Sequence, residues 1–250
     1  MGWLSKIILN GVEMLIKDTS ARNDAQTALN YLTNMWNRQT GATVYYVSPD
    51  GDDETGDGST LAPYRTIMRA YNDAIRYPVI NNNTVVIDVL NGEYYENIEI
   101  GNPAMGARVV LNCHGGVVIH GSFVVRNTRV EIIGADAVAT LYIRVDAATA
   151  NNYGNALFVC TEFSEVYCNI NSFIIGPESI TSIQQAVSVM FGSKLYQGNT
   201  CYIRGNYVYN VITVINSEAN LNSDVLNSSA PTALYSEHSW VISRNASLSV

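Results

Sequence analysis

Charge is scarce in this chain: 14% of its 250 residues are Asp, Glu, Lys or Arg, against 47% hydrophobic. Its surface must be finished with Asn, Ser, Thr and Tyr in place of salt bridges. A net charge of −8 with no basic stripe argues against a phosphate-backbone binder, so nucleic acid is not an expected partner. No apolar window approaches the length of a membrane span, and no membrane contact is expected. Residues Met1 to Asn10 lack the charged start and long apolar run of a signal peptide, which implies assembly in the cytoplasm where the chain is made. Cys113, Cys160, Cys168 and Cys201 have neither the paired spacing of a zinc site nor the density of a disulfide scaffold. Their alternation with apolar neighbours, as in Val166, Cys168 and Ile170, reads as buried free thiols. His114, His120 and His238 are scattered, and no Ser/His/Asp or metal-binding spacing links them. No catalytic residue, metal ligand or cofactor is assigned.

What the chain does have is a pattern that returns. Four segments align by their serine: Ser164-Glu-Val-Tyr-Cys, Ser193-Lys-Leu-Tyr-Gln, Ser217-Glu-Ala-Asn-Leu and Ser239-Trp-Val-Ile-Ser. Each carries an apolar residue two places on (Val166, Leu195, Ala219, Val241), and the intervals of 29, 24 and 22 residues are the size of one turn of a parallel β-solenoid. A lone strand of this kind cannot bury its apolar face, whereas stacking at roughly 4.8 Å gives each inward side chain a like neighbour above and below. Short β-branched runs upstream fit the same scheme: 84–90, 97–100, 108–111, 116–119, 129–133 and 140–145. A β-sandwich is the competing fold. After residue 84, however, no Asn-Gly or Asp-Gly pair joins two clean strands, Asn91-Gly92 being the nearest.

Four regions follow. Residues 1–18 read as a β-hairpin about Asn10-Gly11, with Leu9 facing Val12 and Ile7 facing Met14. Residues 19–40 read as a helix in which Ala21, Ala25, Ala28, Leu32 and Met35 alternate spacings of four and three, an oligomerising coiled-coil seam with polar Gln39 at the next core position. Residues 41–80 hold an entry strand, an acidic loop and a capping helix whose apolar stripe is Ile67, Ala70, Tyr71, Ala74 and Ile75. Residues 81–250 are the solenoid. The loop carboxylates Asp50, Asp52, Asp53, Glu54 and Asp57 offer oxygen ligands for Ca²⁺ without the EF-hand order, and plain Asp/Gly turns explain them as well.

The segment Tyr45-Tyr-Val-Ser-Pro-Asp-Gly51, the loop 52–59 and Ala62-Pro-Tyr-Arg-Thr-Ile67 leading into Ala70 resemble the entry motif of pectate-lyase-like right-handed β-helix proteins. The resemblance spans residues 44–76 and implies a right-handed single-stranded parallel β-helix, saying little about reaction. The opening Ile7-Ile-Leu-Asn-Gly-Val-Glu13 with Ile16-Lys-Asp-Thr-Ser-Ala-Arg22 is similar to the N-terminal segment of bacteriophage fibre proteins, and hairpin, helix and solenoid together look like the layout of tail fibres, tail spikes and head fibres. That likeness implies a virion protein, a homotrimer made in the host cytoplasm, anchored to another virion protein through residues 1–18 and presenting its rod to the host surface. With 16 Tyr to 5 Phe, the densest cluster suited to a host glycan is Tyr196, Tyr202, Tyr207 and Tyr209 among Asn199, Asn206 and Asn210, with stacking along rungs as the structural alternative. Two other functions stay open: a polysaccharide lyase or glycoside hydrolase drawing on Asp88, Glu93, Glu96 or Glu99, and a capsid or tail decoration without ligand.

Overall fold

The computed structural model describes residues 6–9, 12–15, 20, 23–30, 43–75, 84–101, 108–144, 156–176, 185–198, 201–204, 210–221, 223–226 and 232–243. The chain divides into two compact units, Met1–Gly41 and Ala42–Val250. In the first, β1 (Lys6–Leu9) and β2 (Val12–Leu15) pair antiparallel, Leu9 opposite Val12 and Ile7 opposite Met14. Helix α1 includes residues 20 and 23–30, where Thr27 Oγ1 donates to the Asn23 carbonyl at 2.8 Å and Gln26 Nε2 to Asn30 Oδ1 at 2.8 Å. Of the proposed seam, Ala25 is half-buried and Ala28 exposed; Ala21, Leu32 and Met35 lie outside the described residues.

The second unit begins with β3 (Thr43–Val47) and α2 (Ile67–Ile75) and then winds in coils of three strands. The first two coils are β4 (Thr84–Val89), β5 (Gly92–Tyr94), β6 (Ile98–Gly101) and β7 (Arg108–Cys113), β8 (Gly116–His120), β9 (Phe123–Arg126). The next two are β10 (Arg129–Gly134), β11 (Thr140–Arg144), β12 (Ala156–Thr161) and β13 (Glu165–Asn169), β14 (Ser172–Ile175), β15 (Gln185–Met190). Then come β16 (Lys194–Gln197), β17 (Cys201–Arg204), β18 (Asn210–Ile215), followed by β19 (Glu218–Leu221), β20 (Ser223–Leu226), β21 (Thr232–Glu237) and the closing β22 (Trp240–Ser243). Each strand pairs with its counterpart one coil on. The result is a first sheet of eight strands (β3, β4, β7, β10, β13, β16, β19, β22), a second of six (β5, β8, β11, β14, β17, β20) and a third of six (β6, β9, β12, β15, β18, β21). All of these pairings are parallel, which rules out the sandwich and makes this unit a parallel β-solenoid.

Stacking in register sets like over like. On the first sheet one inward column runs Val85, Val109, Val130, Val166, Leu195, Ala219, Val241, and its last four members are the apolar residues of the serine repeat. Beside it run Ile87, Leu111, Ile132, Cys168 and Gln197. Cys113, Cys160 and Cys168 are buried free thiols, as their alternation implies, and burial pushes the Cys113 thiol up to about 12.

The serines themselves make a ladder at the corner between the third and first sheets. Ser164 N–H donates to Ser193 Oγ at 3.2 Å, Ser193 N–H to Ser217 Oγ at 3.3 Å and Ser217 N–H to Ser239 Oγ at 3.2 Å. A buried corner needs these bonds because its amides are turned away from the sheet ladders. Just ahead of them the chain turns through left-handed residues in successive coils: Asn127 (φ 47°), Glu162 (56°) and Phe163 (63°), Phe191 (55°), Asn216 (48°) and His238 (46°). For side-chain-bearing residues such a backbone costs about 1–3 kcal/mol each. Gly192 at φ 76° is the position where glycine is needed, since a Cβ there would stand 2.6 Å from Phe163 Cδ1. Ser217→Ala would leave the Ser193 N–H without its acceptor, and chemical denaturation should show a loss of about 1–3 kcal/mol. Ser217→Thr, which keeps the hydroxyl, should lose less.

Helix α2 starts where it does because its first turn is fully capped. Thr66 Oγ1 accepts from Arg69 N–H at 3.1 Å, and the Glu96 carboxylate, from the corner between the second and third sheets, accepts from Ile67 N–H at 2.7 Å and Met68 N–H at 2.9 Å. Its stripe of Ile67, Ala70, Tyr71 and Ala74 is buried on β3, β4 and β6, with Ile75 packed beside it. Tyr71 OH donates to the Gly101 carbonyl at 2.7 Å, fixing the far side.

Candidate functional site

Among the described residues the inward columns are taken up by the core, and the charged side chains of the coils stand on outward columns and corners. The first sheet carries a continuous outward ladder. Arg108 and Arg129 each place a guanidinium nitrogen 3.0 Å from Glu131 Oε1. The Arg129 guanidinium lies 4.7 Å from the centre of the Tyr167 ring, and Tyr167 stacks on Tyr196 with centroids 4.8 Å apart and planes 16° from parallel. Tyr196 OH then donates to Glu218 Oε1 at 3.0 Å, and Lys194 Nζ sits 3.8 Å from Glu165 Oε1. Burial and the Glu218 carboxylate push the Tyr196 hydroxyl up to about 12. Exposed pairs of this kind contribute about 0–1 kcal/mol each, so the ladder sets rigidity more than stability.

For the tyrosines this arrangement is informative. Ring faces in a rung stack point along the solenoid, and those of Tyr167 are taken by Arg129 and Tyr196. Tyr196 is thereby a rung of the ladder, the alternative that its spacing left open. Tyr202 belongs to a column with Tyr142 and Ile174 on the second sheet, so the structure does not bring it together with Tyr196. Tyr207 and Tyr209 lie outside the described residues.

The four carboxylates weighed for hydrolysis are likewise dispersed. Asp88, on the first sheet, accepts from Asn112 Nδ2 at 2.6 Å and stands 3.5 Å from His114 Nε2. Glu93, on the second, accepts from Tyr95 OH at 2.8 Å and stands 3.4 Å from His120 Nε2; the Tyr95 hydroxyl, then His120 and Arg144, hold its carboxyl below the usual range. His120 is covered by the Tyr95 ring, stacked 4.2 Å away. Glu99, on the third sheet, pairs with Arg126, and Glu96 is taken up by α2. No two of the four share a sheet face, whereas hydrolysis needs two carboxyl groups about 5–9 Å apart across one bond.

The acidic loop is held by its own backbone. Asp52 Oδ1 accepts from Glu54 N–H at 2.7 Å and Thr55 N–H at 3.1 Å, and Asp57 Oδ1 from Ser59 N–H at 2.9 Å. Asp53 reaches across to Arg65 N–H (2.8 Å), Thr66 N–H (3.0 Å) and Thr66 Oγ1 (2.7 Å), tying the loop to the start of α2. Among the described residues no three metal-ligating side chains gather.

One feature lies outside the candidates drawn from the sequence. Along the corner of the serine ladder stand the exposed aromatic side chains Phe163 (77% exposed), Phe191 (54%) and Trp240 (81%), with Tyr235 (43%) beside them on the third sheet. The signal was present, since Phe163, Phe191 and Trp240 each lie within two residues of a ladder serine. The chain matches no protein-family model, no curated protein and no solved structure.

Proposed function

We propose that this chain is a fibre or appendage protein of a bacteriophage virion, a homotrimer that is anchored through residues 1–18 and presents its solenoid to glycan on the host surface. The observation that carries the reading is the parallel β-solenoid following a strand pair and a helix, the order of parts in such fibres. Two further features support it. Most of the described part of α1 is exposed, including Ala28 and Leu29, and a helix with so little of its surface covered has little stability in water without a partner surface, which two more copies would supply. The entry segment leads into α2 packed over the first strands, the arrangement that the pectate-lyase-like resemblance implies, and a right-handed winding follows from the strong handedness preference of parallel crossovers. Such a protein is made in the host cytoplasm and reaches its place by assembly into the virion.

Light scattering tests the assembly: the full chain should have the mass of a trimer, and Leu32→Asp should yield monomers that keep their strand signature in circular dichroism. A monomeric wild type at micromolar concentration removes the seam, and virions imaged with a labelled copy but showing no label remove the fibre.

A further inference from the structure

We infer that the corner between the third and first sheets is a binding ridge for an uncharged polysaccharide, with Phe163, Phe191 and Trp240 as its aromatic platforms. The inference rests on the adhesive reading above and moves its contact site away from the tyrosine cluster. Phe163 and Phe191 hold left-handed backbone, which bulky residues avoid, and they also leave their rings in water. Coils that turn at Asn127 or Asn216 use a single left-handed residue with a side chain suited to it, whereas Glu162–Phe163 and Phe191–Gly192 are left-handed pairs that place a phenylalanine there. The two phenylalanines occupy successive coils, Phe163 N–H donating to the Phe191 carbonyl at 3.0 Å, and Asn216, Glu237 and His238 continue the ridge to Trp240.

Aromatic rings beside amide and carboxylate groups suit a sugar, whose C–H faces pack on rings while its hydroxyls find acceptors. Charge narrows the class. The exposed acidic side chains Glu162 and Glu237 stand on the ridge, His238 lies 3.6 Å from Glu237, and the nearest cations face carboxylates of their own, Arg126 at Glu99, Arg129 at Glu131 and Lys194 at Glu165. An acidic glycan, an anionic lipid surface or a nucleic acid would meet net negative potential. A second copy docking ridge to ridge would set Glu162 and Glu237 against their equivalents. The corner is also preorganised by the serine ladder, so a ligand orders little on binding. Coils succeed one another at about 4.8 Å, so a polymer lying along the ridge meets several platforms at once.

The test is affinity electrophoresis of the full chain in native gels containing dextran, mannan or galactan, or the acidic polymers polygalacturonate and hyaluronate. At least one uncharged polymer should retard the wild type and neither acidic one should. Phe163→Ser/Phe191→Ser/Trp240→Ser should weaken that retardation about tenfold or more. Trp240→Ala alone, at a position 81% exposed, should weaken it in the same direction if the triple variant does not fold. Retardation by an uncharged polymer that survives these changes overturns the ridge and leaves the adhesive reading standing. No retardation by any polymer overturns both. Preference for the acidic polymers, or a fall in oligomeric mass in the ridge variants, overturns the assignment of an uncharged glycan.

Discussion

Phe158→Ala should lower the melting temperature by roughly 6–20 °C, the largest effect expected of any single truncation in the solenoid, because about 3–5 kcal/mol is lost when a fully buried Phe is cut to Ala. Phe158 is inaccessible to water and faces inward from the third sheet. Its ring lies 5.4 Å from Phe123 in the coil before and 5.3 Å from Phe173 in the coil after, the second pair edge to face, so one truncation removes two aromatic contacts. A middle coil packs against the coils on either side of it, and a hole there weakens its bonds to both. Val241→Ala is the comparison: Val241 sits half-buried on the closing strand, with a stacking neighbour on one side only among the described strands, and should cost about 1 kcal/mol. Urea unfolding of the two variants measures the difference. A loss for Phe158→Ala no greater than that for Val241→Ala would mean that the coils do not share a continuous core.

The same neighbour-to-neighbour dependence explains what could be read without coordinates. Where successive coils repeat a residue type, register is visible, and Ser164, Ser193, Ser217 and Ser239 with their following apolar residues name a real column. Strands β5 and β9 were not legible. Gly92–Tyr94 is too short to show a period, and Phe123–Val125 is buried without alternation. The sites were harder still, because a coil turns through three directions in about two dozen residues. Residues five or six apart, such as Asp88 and Glu93, Glu93 and Glu99, or Tyr196 and Tyr202, end on different sheets, so nearness in sequence misleads about nearness in space. Phe158 and Phe163 make the point within one corner: the first is core, the second stands in water, and only the turn at Glu162 separates the two fates. Glu96 was visible as a carboxylate but not as a cap, since its partners Ile67 and Met68 lie 29 and 28 residues away.

Glu96 should also make the fold sensitive to pH in a direction opposite to the usual carboxylate. Burial is the leading influence and pushes its carboxyl from 4.5 up to about 7, against the pull of the Met68 and Ile67 amides, while Asp53 adds to the rise. A folded chain that holds this proton more tightly than the unfolded chain gains stability that is fully present below about 4.5 and is lost as pH rises through about 7. The size of the effect is on the order of 3 kcal/mol. Asp52, Asp57 and Glu93 are all held below their ordinary values, so their contributions fade only as pH falls below that window, and they leave it clear. Glu96→Gln keeps an acceptor for one of the two amides and removes the titration. Glu96→Ala leaves both N–H groups at the start of α2 without partners and should cost about 2–5 kcal/mol. Melting temperatures recorded between pH 4.5 and 7.5 should therefore fall for the wild type and stay flatter for Glu96→Gln, with Glu96→Ala lowest at acid pH. Parallel profiles for wild type and Glu96→Gln would show that the two α2 amides hold Glu96 ionised throughout, and that their pull outweighs its burial.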